Sequence, residues 1–511
     1  MRKILRVLCS RYLITAFVML AELFVLCFFL LELSSYSVYF FVTAVIIDFL
    51  VMVAVINGES NPEYKLTWMA VVLLIPLFGA VLFIMFRKRK MSRREIRTLS
   101  MIKKELQYTS DGDCAIDGLA RASRQALGKA HSILTGDECA RVYSGSVSRY
   151  FSCGEEMYSS MLEDLTRAES FIFLEYFIIC KGEMWDGIFG ILRDKAMAGV
   201  EVRILYDDIG CINSLPRCFA RELEAARIKA KKFGRVSSDI RNMHSNNNRD
   251  HRKLCIVDGR IGYTGGVNIA DEYINKKERF GYWKDGGIRI CGDAVRGFTR
   301  LFLSLWGLSD SRIEHFDRYL GDYSVGGDGG FYLPFGSGPR PMYPYQVGKR
   351  AFLDIINQAE GYVYITTPYL IVDFDLSEAM RGAALRGVDV RLITPGVADK
   401  KAVKIMTKSS YQSLMRSGVR IYEYTPGFIH SKTLVSDDLY AVVGTINLDY
   451  RSLVHHFEDG VWMYNTDTVM DIRRDFMNCI AVSHLMSDDE ARLGIFEWAL
   501  RCAVRLFAPL L

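Results

Sequence analysis

Residues 251–268 read HRKLCIVDGRIGYTGGVN, and residues 430–447 read HSKTLVSDDLYAVVGTIN. Both follow one skeleton: His-x-Lys, four residues, Asp, six residues, Gly, a small residue, any residue, Asn. The first copy carries His251, Lys253, Asp258, Gly265 and Asn268; the second carries His430, Lys432, Asp437, Gly444 and Asn447. Two copies with identical internal spacing, 179 residues apart, mark an internal duplication. In extended backbone, residues two apart share a face, so His and Lys of each copy project together. The apolar run after each Lys (LCIV, TLV) reads as a buried strand. A Gly-containing turn and second strand (IGYTGG, YAVVGT) bring the Asn back beside the pair. Two such units facing each other supply two imidazoles with four donors around them. Displacement at a phosphodiester asks for that set: a nucleophile, an acid for the leaving oxygen, and fixed positive charge on the phosphoryl oxygens.

The doubling extends outward. SFIFLEYFII (170–179) matches GYVYITTPYLIV (361–372), AMAGVEVRILYDD (196–208) matches ALRGVDVRLITPG (384–396), and AARIKAKKF (225–233) matches RSGVRIYEY (416–424). Strands alternating with helical stretches predict an α/β lobe used twice, each a mixed sheet flanked by helices, over residues 146–330 and 336–511. GGDGGFYLPFGSGPRP (326–341) is the joint. The end, IFEWALRCAVRLFAPLL (495–511), reads as an amphipathic helix packed on its lobe.

A chain of 511 residues, half of them apolar, is too large for one core. The net charge of +5 is a mild excess and does not argue for nucleic acid. The 12 cysteines form no CxxC pair and no metal cage, so reduced thiols are expected rather than a disulfide framework. The first 90 residues read as membrane anchor, with apolar runs over 12–33, 37–56 and 66–86, each near the ~20 residues of a spanning helix. Glu22 and Asp48 fall inside these runs, where an unpaired charge is costly. Arg87-Lys88-Arg89-Lys90 with Arg93 and Arg94 places the following domain in the cytoplasm. The basic start (Arg2, Lys3, Arg6, Arg11) would then lie outside after three spans; a shallow hairpin of two runs is the other solution. Residues 91–145 read as a polar helical linker at the membrane surface, with basic residues available to anionic head groups.

The two motif copies resemble the paired HKD motifs of the phospholipase D superfamily. The wider text (NNRDHRKLCIVDG, TGGVNIADEY, YITTPYL, GTINLDYRS, RLFAPLL) resembles bacterial cardiolipin synthases over nearly the whole chain. The resemblance implies an α/β phospholipase D-like fold with two lobes related by a pseudo-two-fold, behind N-terminal transmembrane helices, in a multi-pass protein of the bacterial cell membrane. It implies His251 as nucleophile and His430 as general acid and then base, the reverse order remaining open in a near-symmetric site. Lys253, Lys432, Asn268 and Asn447 would hold the phosphate oxygens. Asp258 and Asp437 complete the motif, but at the hairpin turn they read as more structural than catalytic. A reacting imidazole needs its other nitrogen oriented by an acceptor; Asp285 in YWKDGG and Glu458 in HHFEDG are the candidates. The family usually carries Thr and His after the first of these acids, where this chain has Gly286 and Gly287.

The implied reaction takes phosphatidylglycerol as donor and acceptor through a phosphatidyl-histidine intermediate and releases glycerol. Exchange of one phosphodiester for another needs no nucleotide, and lysine charge makes a metal unnecessary, so no cofactor is expected. The expected partners are phosphatidylglycerol and anionic membrane lipids, not nucleic acid. The competing readings are a phospholipase D hydrolase, a phosphatidyltransferase using another alcohol such as ethanolamine or a glycolipid, a nucleic-acid phosphodiesterase, and a catalytically dead membrane scaffold. Three spans do not suit the nucleic-acid enzyme, and two intact motifs do not suit the scaffold.

Overall fold

The computed structural model describes residues 37–58, 61–86, 93–108, 115–234, 248–309, 315–492, 494–498 and 501. The described residues divide into two compact units, 37–86 with 501, and those between 93 and 498.

The large unit carries the duplication as two sheets. In the first lobe the strands are β1 (Ser146–Phe151), β2 (Phe171–Tyr176), β3 (Glu201–Asp207), β4 (Lys229–Phe233), β5 (Lys253–Val257), β6 (Ile261–Gly265), β7 (Tyr282–Lys284) and β8 (Gly287–Gly292). In the second they are β9 (Phe331–Ser337), β10 (Tyr362–Thr366), β11 (Asp389–Pro395), β12 (Arg420–Tyr424), β13 (Gly427–Ile429), β14 (Thr433–Ser436), β15 (Tyr440–Gly444), β16 (Glu458–Tyr464) and β17 (Ser483–Leu485). The first sheet runs β1-β8-β6-β5-β2-β3-β4; the second runs β9-β16-β15-β14-β10-β11-β12-β17. The orders match strand for strand, with β17 added at one edge. In each, β2 or β10 pairs parallel with the strand on one side and antiparallel with its motif strand on the other, so both sheets are mixed. Every residue of β2, β5, β10 and β14 is buried, as continuous apolar runs covered on both faces require.

One apolar cluster runs through both lobes, taking Phe173, Leu254 and Phe302 from the first and Leu333, Leu434 and Trp462 from the second. The helix Val295–Leu308 lies in the middle of it, buried from Val295 to Gly307. β9 begins at Phe331, so the second lobe starts inside the Gly/Pro-rich joint rather than at 336. The 91–145 segment is also more than a linker. Its helices Arg93–Tyr108, Ile116–Ala122 and Arg124–Gly136 contribute Leu99, Ile102, Leu106, Leu119 and Ile133 to the same core. The polar residues that suggested a surface linker occupy only one face of each helix.

In the small unit, α1 (Ser37–Ile56) carries Asp48 in its interior. The third apolar run is not one helix. It breaks into α2 (Pro62–Leu74) and α3 (Phe78–Phe86) around Pro76, with Leu77 at φ +65°. The break frees the Leu77 N–H, which donates to the Asp48 carboxylate at 3.0 and 3.2 Å. Asp48 therefore answers a broken backbone. Among the described residues, no helix is long and apolar enough to cross a membrane. The expected run 12–33, with Glu22, lies outside the described residues, as do residues 87–92 of the basic cluster and most of the C-terminal stretch 495–511.

Candidate active site

Each His-x-Lys stands where the chain enters a motif strand, and each entry is clamped by the opposite lobe. The His251 N–H donates to the Phe457 carbonyl at 2.8 Å, and the Phe457 N–H donates to the Arg249 carbonyl at 2.8 Å. On the other side β13 pairs parallel with β7, and the His430 N–H donates to the Lys284 carbonyl at 2.7 Å. Each clamp delivers a carboxylate at its far end: Glu458 follows Phe457, and Asp285 follows Lys284.

The side chains therefore pair across the lobes. His251 Nδ1 lies 2.9 Å from Glu458 Oε2, and His430 Nδ1 lies 2.7 Å from Asp285 Oδ2. With Nδ1 of both rings held by a carboxylate, chemistry falls to Nε2, which in His430 also lies against Lys432. Lys253 Nζ donates to the His251 carbonyl at 2.7 Å, and Lys432 Nζ lies 2.9 and 3.1 Å from the two ring nitrogens of His430. Histidines, lysines and carboxylates are all buried.

Burial sets the charges. It draws His251 down to about 3, against the pull of Glu458, and His430 down to about 4, with Lys432 adding to the effect. It also draws Lys253 to about 8 and Lys432 to about 7, opposed by the nearby carboxylates. Burial pushes Glu458 and Asp285 upward, but the combined pull of His251 and His456 on Glu458, and of His430, Lys432 and the Gly286 N–H on Asp285, holds both carboxyls below their usual range. The resting cluster is two neutral imidazoles, two carboxylates and two ammonium groups of weakened hold on their protons. An entering phosphodiester brings one negative charge into this balance and favours protonating one imidazole.

Asp258 and Asp437 do not join the cluster. Both sit at positive φ, +52° and +55°. Asp258 accepts from the backbone N–H groups of Glu169, Ser170 and Phe171 at 2.7–2.8 Å. Asp437 accepts from Glu360, Gly361 and Tyr362 at 2.8–3.0 Å. Each ties its hairpin to the start of the neighbouring strand. The asparagines differ from each other. Asn268 is engaged within its own lobe, accepting from Ile178 N–H at 3.1 Å and donating to the Tyr273 hydroxyl at 2.7 Å. Asn447 is buried with an amide oxygen that makes no hydrogen bond among the described residues.

The two halves are fitted differently. A Cβ on Gly266 would meet Asp285 Oδ1 at 2.0 Å, so glycine is required there. Its counterpart Thr445 donates to Glu458 Oε2 at 2.5 Å, and Ser452 donates to Oε1 at 2.6 Å. Gly286 and Gly287 have a physical reason too: added Cβ atoms would meet backbone, the Phe151 carbonyl oxygen at 3.1 Å and the Thr264 carbonyl oxygen at 2.8 Å. Beside His251 lies a buried set that the motif spacing does not reveal: Glu175, Asp250, Asp459 and Arg252. Arg252 donates to the Leu301 carbonyl at 2.9 Å and to the Tyr343 hydroxyl at 2.6 Å, with Glu175 at 3.8 Å. Glu175 was the available signal, the lone charge in the apolar run SFIFLEYFII. His456 is a further neighbour, with its ring centre 5.5 Å from that of His251. Among the described residues, His251, His456 and Glu458 are the group whose donor atoms gather closely enough for a metal ion, within 4.8 Å of one another.

Comparison with known proteins agrees with this arrangement. The family described as cardiolipin synthase, PLD-like domain, matches residues 161–286 and 352–480, one match per lobe. A phospholipase D-nuclease N-terminal family matches residues 46–88. An uncharacterized protein of Streptococcus mutans is 38% identical over 460 residues, covering 89% of this chain and 98% of that one. A cardiolipin synthase of Geobacillus sp. (strain WCH70) is 33% identical over 430 residues, covering 83% and 84%. The crystal structure of phosphatidylserine synthase from Haemophilus influenzae superposes with a TM-score of 0.54 at 13% identity, covering 71% of this chain and 93% of that one, a likeness of fold. With both lobes matched, and a relative above 30% identity aligned over most of both chains, the chain belongs to the cardiolipin synthase family of phospholipase D-like proteins.

Proposed function

We propose that this chain is a cardiolipin synthase that transfers a phosphatidyl group from one phosphatidylglycerol to the primary hydroxyl of another. His251 Nε2 attacks phosphorus; His430, whose Nε2 takes up a proton as the anionic phosphodiester enters, gives that proton to the glycerol oxygen as its bond to phosphorus breaks and glycerol leaves. A phosphatidyl-histidine remains. The second lipid's hydroxyl gives its proton to His430, its oxygen attacks phosphorus, and the P–N bond breaks to release cardiolipin and free His251. Glu458 and Asp285 hold the two rings in the tautomer that leaves Nε2 reactive. Lys253, Lys432 and Asn447 face the non-bridging oxygens, while Asn268 acts through the 178 loop it braces. Asp258 and Asp437 support the hairpins.

The observation that carries this reading is the crossed pairing, His251 with Glu458 and His430 with Asp285, which puts two oriented imidazoles and two buried lysines in one seam. Lysine charge suits the phosphoryl oxygens without a metal. We place residues 1–90 in the membrane and the two lobes on the cytoplasmic side in a bacterial cell, on the strength of Arg87–Lys90, Arg93 and Arg94. The test is mass spectrometry of lipids formed by the purified protein from phosphatidylglycerol alone. Cardiolipin and glycerol in equal amounts are expected; phosphatidic acid as main product would make the protein a hydrolase, and no product without an added alcohol would make it a different transferase.

A further inference from the structure

The two halves of the seam differ at one matched position. The residue two before each carboxylate packs on the histidine of the other lobe. Trp283 stands 5.4 Å from the His430 ring centre, and His456 stands 5.5 Å from the His251 ring centre. Around His430 the wall is completed by Tyr273 and Phe428, so no second imidazole stands beside it there. Around His251 a second imidazole takes the place of the indole. His456 is 9% exposed, and its Nδ1 is buried without a hydrogen bond, 3.7 Å from Glu458 Oε1 and beyond hydrogen-bond reach. A buried ring nitrogen left in this state is costly, and a ligand would relieve it. The donor atoms of His251, His456 and Glu458 gather within 4.8 Å, all three residues being buried. Two imidazoles and one carboxylate form a donor set that zinc takes in open, three-ligand sites. Thr445 and Ser452 hydroxyls already hold the carboxylate from outside, the support a ligating carboxylate needs.

We propose that His251, His456 and Glu458 bind one divalent cation of the zinc class, and that its occupancy stops phosphatidyl transfer. The binding half stands on the geometry alone; the inhibitory half rests on His251 being a reacting residue. The cation takes the place of the proton between His251 and Glu458, that proton moves to Nε2, and the nitrogen that would attack phosphorus no longer has a free lone pair. Lys253, bonded to the His251 carbonyl at 2.7 Å, repels a cation from close by and makes the binding reversible. The neutral imidazole and the carboxylate that serve catalysis are the same groups that ligate, so His456 is what adds the third ligand.

The experiment uses the full chain in neutral detergent, stripped with EDTA and desalted. Zinc chloride is titrated in competition with a chromophoric chelator, and cardiolipin formation is followed in parallel. One tight equivalent per chain is expected, with product formation falling as that equivalent binds and returning on EDTA addition. His456→Asn and His456→Gln should weaken the tight equivalent at least ~10-fold, the scale for losing a supporting group at a metal site. His131→Asn, an exposed histidine elsewhere, should leave it unchanged. Equal binding by wild type and both His456 variants, loss of the equivalent in His131→Asn, or full activity at saturation each overturns the proposal. A strict zinc requirement for activity overturns it as well. Should both His456 variants fail to fold, X-ray absorption of zinc on the wild type decides. Two imidazoles with oxygen support the site, and sulfur or a single imidazole refutes it. Failure to make cardiolipin in metal-free buffer sinks the functional reading instead and leaves the binding isotherm standing.

Discussion

Lys432 and Lys253 hold their protons weakly, at about 7 and about 8, because burial disfavours the charged ammonium. His251 and His430, drawn to about 3 and about 4 by the same burial, are neutral through the neutral range. The sign of the pH response follows. Lowering pH from neutrality fills the lysines while both imidazoles stay mostly neutral, and raising it strips the lysines of the charge that holds phosphate. The kcat/KM profile, which reports the free enzyme, is expected to fall from about pH 5 upward as the protonated fraction of His430 shrinks, and more steeply above about 7 as the lysines lose their charge. An acid limb centred near the ordinary imidazole value of about 6.5 would show that the rings are not held neutral. Lys253→Met or Lys432→Met should each lower turnover by about 10²-fold or more, the scale for losing one preorganised donor. The variants should still fold but lose stability, since each leaves a buried carboxylate without its counter-charge; near-normal rates in both variants would take the lysines out of the site. Rapid quench with radiolabelled lipid phosphate should trap an acid-labile, alkali-stable adduct on His251, whereas label on His430 would reverse the two roles. The histidines, lysines and both carboxylates were legible because repetition and residue type mark them. The crossing of partners was not, because His251 and Glu458 lie 207 residues apart and only three-dimensional pairing joins them.

The motif hairpins show how an element can carry a signature residue for purely mechanical reasons. Asp437 stands at φ +55° and gathers three backbone N–H groups at the start of β10, as Asp258 does at β2. Bonds to a charged acceptor contribute about 1.5–3 kcal/mol each, with less for neighbours that share one carboxylate. Asp437→Ala is therefore expected to cost about 2–4 kcal/mol of unfolding free energy, read by chemical denaturation. Turnover per folded molecule should stay within about threefold, because the carboxylate lies a full strand away from Lys432, roughly 15 Å along extended backbone. Asp437→Asn, which tolerates positive φ and keeps one acceptor, should fall between. Normal stability with lost turnover would return Asp437 to the chemistry. The repeated strands of the two sheets were legible from the matching segments, because buried strands announce themselves as β-branched apolar runs; their order within each sheet was not. β7, β13 and β17 were not, since three residues carry no period. The helices between 93 and 136 were recognised as helical, but their apolar stripes were read too lightly to assign them to the core.

At the scale of the molecule, membrane and chemistry have to meet. A lipid phosphate lies at the interface, so a seam that works on it must reach the head-group plane. The sequence marked residues 37–56 and 66–86 as apolar, but hydropathy alone does not register that Pro76 splits the second run or that Asp48 accepts from the freed backbone. The basic residues Arg87–Lys90, Arg93 and Arg94 would draw the catalytic unit to an anionic leaflet with roughly 1 kcal/mol per residue near the surface. A chain beginning at Arg93 retains the helix Arg93–Tyr108, which packs Leu99, Ile102 and Leu106 into the core. It is therefore expected to fold and to turn over detergent-dispersed phosphatidylglycerol. On anionic vesicles its rate should fall far more than in detergent, and the loss should shrink as surface lipid concentration is raised, since concentration at the surface is lost and not the chemistry. Equal losses in detergent and on vesicles would mean that residues 1–92 shape the site itself. Ser92→Cys should be inaccessible to a membrane-impermeant thiol reagent applied to intact cells and should label after permeabilisation. Labelling from outside would overturn the cytoplasmic placement, and with it the reading of the basic cluster as an inner-leaflet tether.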